Sequence, residues 1–233
     1  MKRRALISLY IALLTCAPTV ANAQREETET TIVESGYYVA PAYAGKVKII
    51  VALVVENPYQ DKFASRPNVR VTARAADGSV ITTQEMNSAG IPPKQRIAYC
   101  NSLYADEMPA KVEFRALSAG YEPTVYKPVE FLPLELIGVR SRIDNMGRVR
   151  ITGEIKNPFP LETGGWITFL YRNTGGKLIG GHTKWISEIP AGEPTPFEMY
   201  VDADEVPSET KSIEKFVFNH NNYQSSWQKL LKR

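Results

Sequence analysis

The stretch VKIIVALVVENPY, Val47–Tyr59, returns in altered form as VRITGEIKNPF, Val149–Phe159, with Asn57 and Asn157 one hundred positions apart. In the first copy Val47, Ile49, Val51, Leu53 and Val55 alternate with Lys48 and Ala52. In the second, Val149, Ile151, Gly153 and Ile155 alternate with Arg148, Arg150, Thr152, Glu154 and Lys156. A period of two predicts a strand with one buried face. The Asn-Pro step ends each strand, because proline has no ladder donor and forces its neighbour into an extended conformation.

Outward from these strands the two copies stay in step. Beyond the asparagines the offset settles at 98: Asp77-Gly78-Ser79-Val80-Ile81 lies over Gly175-Gly176-Lys177-Leu178-Ile179, Ile91-Pro92 over Ile189-Pro190, and ADEMP (105–109) over ADEVP (203–207). Gly120-Tyr121 lies over Asn222-Tyr223 at an offset of 102. Matched turn signals in one order indicate a tandem duplication. The alternation also runs through Val69–Thr72, Ile167–Phe169 and Val112–Phe114, and the Asp-Gly and Gly-Gly pairs predict hairpin turns. The expected fold is all-β: two tandem immunoglobulin-like antiparallel β-sandwiches with a short C-terminal helix.

The order of strands and turns resembles the FxLYD and LEA14-like group of immunoglobulin-type sandwiches. The best local match is ITFLYRNTGGKLIGG (Ile167–Gly181), where Leu170-Tyr171 fall on the family's Leu-Tyr. Thr168 and Arg172 stand where the family has Phe and Asp, and Arg70–Arg74 keeps none of the signature letters. The resemblance implies a non-catalytic envelope module, in the bacterial periplasm, with no active-site residues to carry over.

The first 23 residues read as a secretory signal peptide: a basic MKRR, the apolar ALISLYIALLTC, and Ala21-Asn22-Ala23 as a cleavage site before Gln24. A rival reading lipidates Cys16, after Leu13-Leu14-Thr15. With the leader removed, 25 of the 28 lysines and arginines remain against 25 acids. That balance offers no footprint for nucleic acid or anionic membrane, and nothing after Ala23 is long and apolar enough to span a bilayer. The expected organisation is a leader (1–23), a flexible segment (24–35), a first sandwich (36–127), a second (128–223) and an amphipathic tail (224–233).

Candidate chemistry is sparse, and no cofactor or metal is expected. His182 and His220 sit in no ligand-spaced cluster, and no HExxH, GxSxG, CxxC or phosphate-loop pattern occurs. His182 reads as a surface residue, TGGKLIGG as turn and bulge, and Asp202, Asp204 and Glu205 as a structural turn against a calcium alternative. Cys100 reads as a small buried hydrophobe. The candidate partner-binding residues are Tyr37 and Tyr38, in GYYVAPAYAG, and Trp227, Leu230 and Leu231, which share one face of a C-terminal helix. The function expected is an exported, non-catalytic binding or assembly module contacting an envelope or extracellular protein. A periplasmic chaperone or secretion accessory is the alternative, with a hydrolase third.

Overall fold

Alternating β-branched residues form strands where the period of two predicts them. The computed structural model describes residues 26–29, 31–123, 134–146 and 148–219. The first half contains β1 (Glu26–Glu29), β2 (Thr31–Pro41), β3 (Val47–Glu56), β4 (Lys62–Ser65), β5 (Asn68–Arg74), β6 (Val80–Asn87), β7 (Arg96–Ala105), β8 (Lys111–Ala116) and β9 (Ser118–Pro123). The second contains β10 (Glu135–Ile143), β11 (Val149–Lys156), β12 (Thr163–Arg172), β13 (Leu178–Ile189), β14 (Pro194–Val201) and β15 (Ser212–Asn219). The Trp227, Leu230 and Leu231 tail, its helix and His220 lie outside the described residues, as do the leader and Cys16. Residues 31–35, placed by the sequence in a flexible leading segment, belong to β2.

All strand pairs are antiparallel, and the pairing recurs. In the first half β2-β3-β7 faces β6-β5-β8; in the second β10-β11-β14 faces β13-β12-β15. A further sheet, β1-β9-β4, continues the bent strands β4–β5 and β8–β9. Ile49, Val51, Leu53 and Val55 pack with Val69, Val71 and Ala73 in one core. Ile151 and Ile155 pack with Ile167, Phe169, Tyr171 and Phe197 in the other.

The predicted hairpin turns connect β5 to β6 and β12 to β13, and the two have one hydrogen-bonding form. Ala75 N donates to Ser79 O and Asn173 N to Lys177 O, while Gly78 (φ 86°) and Gly176 (φ 76°) occupy the left-handed region that L side chains avoid. The arginine closing each preceding strand pins the turn. Arg74 donates to Gly78 O and Glu113, and Arg172 to Gly176 O and Glu214.

The structure corrects the expectation that β3 buries one face. Ile50, Ala52 and Val54, on its other face, are buried as well. The cause lies in the second half. Ala52, Val54 and Ala98 pack with Leu170 and Leu178, and β13 touches β2, β3 and β7. The sheets therefore stack as four layers, β6-β5-β8, β2-β3-β7, β13-β12-β15 and β10-β11-β14, with three apolar interiors. A strand in a middle layer reads as a continuous apolar run, which is what VKIIVALVVE is.

Close approach at this seam requires residues without a side chain. A Cβ on Gly36 would lie 2.2 Å from the Leu178 carbonyl oxygen, and one on Gly181 would lie 2.7 Å from Cys100 Sγ. Val54, Leu170 and Leu178, at about 1.5–3 kcal/mol each, give the seam an apolar contribution of at most about 5–9 kcal/mol before entropy.

Candidate functional site

The repeated asparagines are structural. Asn57 and Asn157 are fully buried. Asn57 Nδ2 donates to the carbonyls of Lys62 (2.7 Å) and Ile91 (2.9 Å), and its Oδ1 accepts from Tyr59 N (3.1 Å). Asn157 repeats this with Leu161 O (2.7 Å), Ile189 O (2.9 Å) and Phe159 N (2.9 Å). Each side chain ties the end of a long strand to the loop after it and to the Ile-Pro step of the next connection. The stop assigned to proline is thus held by the asparagine, which satisfies backbone groups that burial would otherwise leave costly.

The seam holds most of the titratable interior. Along the edge of β7, Cys100 N donates to Thr183 Oγ1 (2.9 Å), and Thr168 Oγ1 donates to Ala98 O (2.8 Å). The two hydroxyls lie 2.9 Å apart, and since Thr168 has spent its proton on Ala98, Thr183 is the donor between them. Two threonines of the second half therefore occupy outward-facing backbone groups of a strand in the first. Enclosure at this seam pushes the Cys100 thiol up to about 12, so it stays protonated and unreactive at neutral pH. Beside Cys100 a groove of about 420 Å³ opens between Ser88, Tyr99, Asn101 and Trp166.

At the other side of the seam His182 is only partly exposed, not the surface residue its sequence context suggests. Its Nε2 meets Glu205 Oε2 at 3.0 Å and its Nδ1 meets the Tyr171 hydroxyl at 3.0 Å. A carboxylate only accepts, so a ring carrying its proton on Nε2 satisfies both contacts, with the phenol as donor to Nδ1. Burial raises the Tyr171 pKa and keeps that donor in place. Glu205 also receives Lys48 of the first half. The hydrogen bond from His182, then that from Lys48, holds its carboxyl down to about 2. A second bridge runs from Glu34 on β2 to Arg172 (2.7 Å), which also holds Glu214 (2.7 Å).

The acidic turn is consumed by this arrangement. Glu205 faces inward from the 3₁₀ turn Ala203–Glu205 while Asp202 and Asp204 stay exposed, and no group of three metal-ligating side chains occurs among the described residues. Gly180 and Gly181 lie on β13 next to a register shift in its pairing with β12. Neither glycine leads into a helix that could hold a phosphate.

Tyr37 and Tyr38 both lie on β2, at the edge of its sheet; Tyr37 is 37 % exposed and Tyr38 partly buried. The registers fix which backbone groups face outward there. Ala42 N donates to Lys46 O, so even-numbered residues of β2 bond β3 and the odd-numbered Ser35, Tyr37 and Val39 point away from it. Beyond this edge lies a groove of about 540 Å³, walled by Val112 and Phe114 of β8 on one side and by Leu178, Ile179 and Pro207 on the other.

No protein-family model matches the chain, and no characterised protein matches it significantly.

Proposed function

We propose that this chain is an exported, non-catalytic binding or assembly module of the cell envelope, acting through protein–protein contacts. On this reading it is a tandem pair of immunoglobulin-like sandwiches of the FxLYD and LEA14-like type. The recurrent strand pairing supports the duplication, as do the two asparagine staples and the two arginine-pinned turns at corresponding positions. Export and the periplasmic location rest on the leader and on the family resemblance.

The observation that carries the binding role is the use made of the reactive side chains. Cys100, His182, Glu205, Lys48 and Tyr171 are tied into the seam between the halves, so they hold a scaffold together. A rigid scaffold of this kind works through its edges and loops. The test is chemical crosslinking in the intact envelope of the native organism, followed by affinity recovery of the mature chain. One stoichiometric protein partner is expected. A folded chain recovered alone, at native abundance, overturns the reading.

A further inference from the structure

The middle layer formed by β2-β3-β7 stops one strand short at β2. The backbone N–H and C=O groups of Ser35, Tyr37 and Val39 point past the edge and have no hydrogen-bond partner among the described residues. Yet the layers on either side continue: β8 and the start of β13 extend over the space and enclose the 540 Å³ groove from both faces. Polar and apolar groups share its lining about equally; the side chains facing each other across it are Val112 and Phe114 against Leu178, Ile179 and Pro207, and its rim carries one charge of each sign, Lys177 and Glu209.

We propose that this slot receives a detached extended segment of a partner protein. About five residues of it would pair with β2 over Ser35–Val39, a reach of about 13 Å at the strand rise. The proposal rests on the binding-module reading and specifies its site. Three features select this occupant. Alternating donors and acceptors on a strand edge are matched by another extended backbone. The walls on both faces require uncharged side chains pointing both ways, as β3 itself has. The same walls exclude a folded domain or a second copy, whose own sandwich layers would collide with β8 and β13.

Four of the other edges carry features that oppose such pairing. Pro194 and Pro196 lie on β14, Arg140 and Arg142 with a register shift on β10, Glu214 and Lys215 on β15, and the two threonine hydroxyls cover β7. The charged side chain on β2, Glu34, is held by Arg172.

The test places a photoreactive benzoylphenylalanine at Tyr37 in the full chain expressed in its native cells, with a second version carrying it at the exposed Tyr200 on β14. Adducts are mapped to the residue. The expected product joins Tyr37 to an uncharged segment of at least about five residues in one other protein. Val39→Pro should cut that adduct at least tenfold in a protein that still folds, since the N–H it removes serves no bond within the sheet and only the Val39 packing against the first core is lost from the thermal midpoint. If Val39→Pro fails to fold, Ser35→Pro removes an equivalent outward N–H. Adducts that persist in the folded proline variant overturn the proposal, as do adducts to residues 220–233 of the same chain or to a folded surface. Adducts at Tyr200 with none at Tyr37 overturn the slot and leave the binding module standing; none at either position removes both.

Discussion

Truncating one buried asparagine tests the staples and the seam together. Asn57→Ala removes three hydrogen bonds, taking a partner from the Lys62 carbonyl and the Tyr59 N–H and leaving the Ile91 carbonyl with only its bond from Ala64 N. Each buried group left unsatisfied costs about 1–3 kcal/mol, and groups that reach water cost less. A loss of about 2–4 kcal/mol follows from the three bonds removed, a large fraction of the stability of an ordinary domain. Asn157→Ala should lose the same to within about 1 kcal/mol, because its three contacts reproduce those of Asn57 within 0.2 Å. Urea unfolding followed by tryptophan fluorescence discriminates further, since Trp166 and Trp185 both lie in the second half, on β12 and β13. If the seam makes the halves one cooperative unit, Asn57→Ala in the first half shifts the tryptophan transition. At about 2–3 kcal/mol per molar urea the midpoint falls by about 1–2 M. A tryptophan transition that ignores Asn57→Ala would refute the single unit. A loss below about 1 kcal/mol in both variants would refute the staple.

Three further outcomes are expected. Gly36→Ala forces a Cβ to within 2.2 Å of the Leu178 carbonyl oxygen and should cost about 1–3 kcal/mol in thermal or urea unfolding, as overpacking does; a neutral result would mean the sheets can separate freely. Glu205 titrates below its unfolded value of 4.5, so its contribution is complete above that pH and drains as pH falls from about 4.5 towards about 2; the acid limb of stability against pH should flatten in Glu205→Gln, and an unchanged limb sinks the assignment. Cys100, raised to about 12 though partly exposed at its groove, should react with iodoacetamide at pH 8 at least about a hundredfold more slowly than a free thiol because its thiolate is scarce, and its neutral form should lose stabilising value as pH rises from about 9 towards 12; alkylation at the rate of a free thiol would place it outside the seam.

What the sequence makes legible is local. A strand with a period of two and an Asp-Gly or Gly-Gly turn is written within ten residues, and β3, β5, β8, β11 and β12 with their hairpins lie where those signals put them. The seam is not local. Whether the second face of β3 meets water depends on residues more than one hundred positions away, and the one nearby sign was the want of a charge at Ile50, Ala52 and Val54. His182 fares likewise. Glu205 lies 23 positions on and Lys48 belongs to the other half, so a histidine that looked solitary in the chain is bonded at both ring nitrogens. Asn57 left a clearer signal, its recurrence beside a recurring Ile-Pro. The adjoining proline offered a simpler cause for the strand end, and only the three hydrogen bonds assign the work to the amide.

The proposed copies differ most where they face outward, and the difference bears on what the pair can bind. Ile50, Ala52 and Val54 in the seam correspond to Arg150, Thr152 and Glu154 on the open face of β11, and Leu170 and Leu178 correspond to Thr72 and Val80. On the open faces Arg150 is paired with Glu198 and lies over the Tyr200 ring, while Arg70 is paired with Glu85. A seam joins unlike faces, so an uncapped pair would present at each end the complement of the other and could grow into a filament. Covering Arg150 or Arg70 with an apolar sheet would desolvate a charge at a cost of several kcal/mol. The open faces therefore act as the polar caps that terminal repeats carry, and they stop the stack at two. With both broad faces closed to further sheet-on-sheet packing, the proposed binding role falls to the strand edges, and among these the outward groups of Ser35, Tyr37 and Val39 border the slot between β8 and β13.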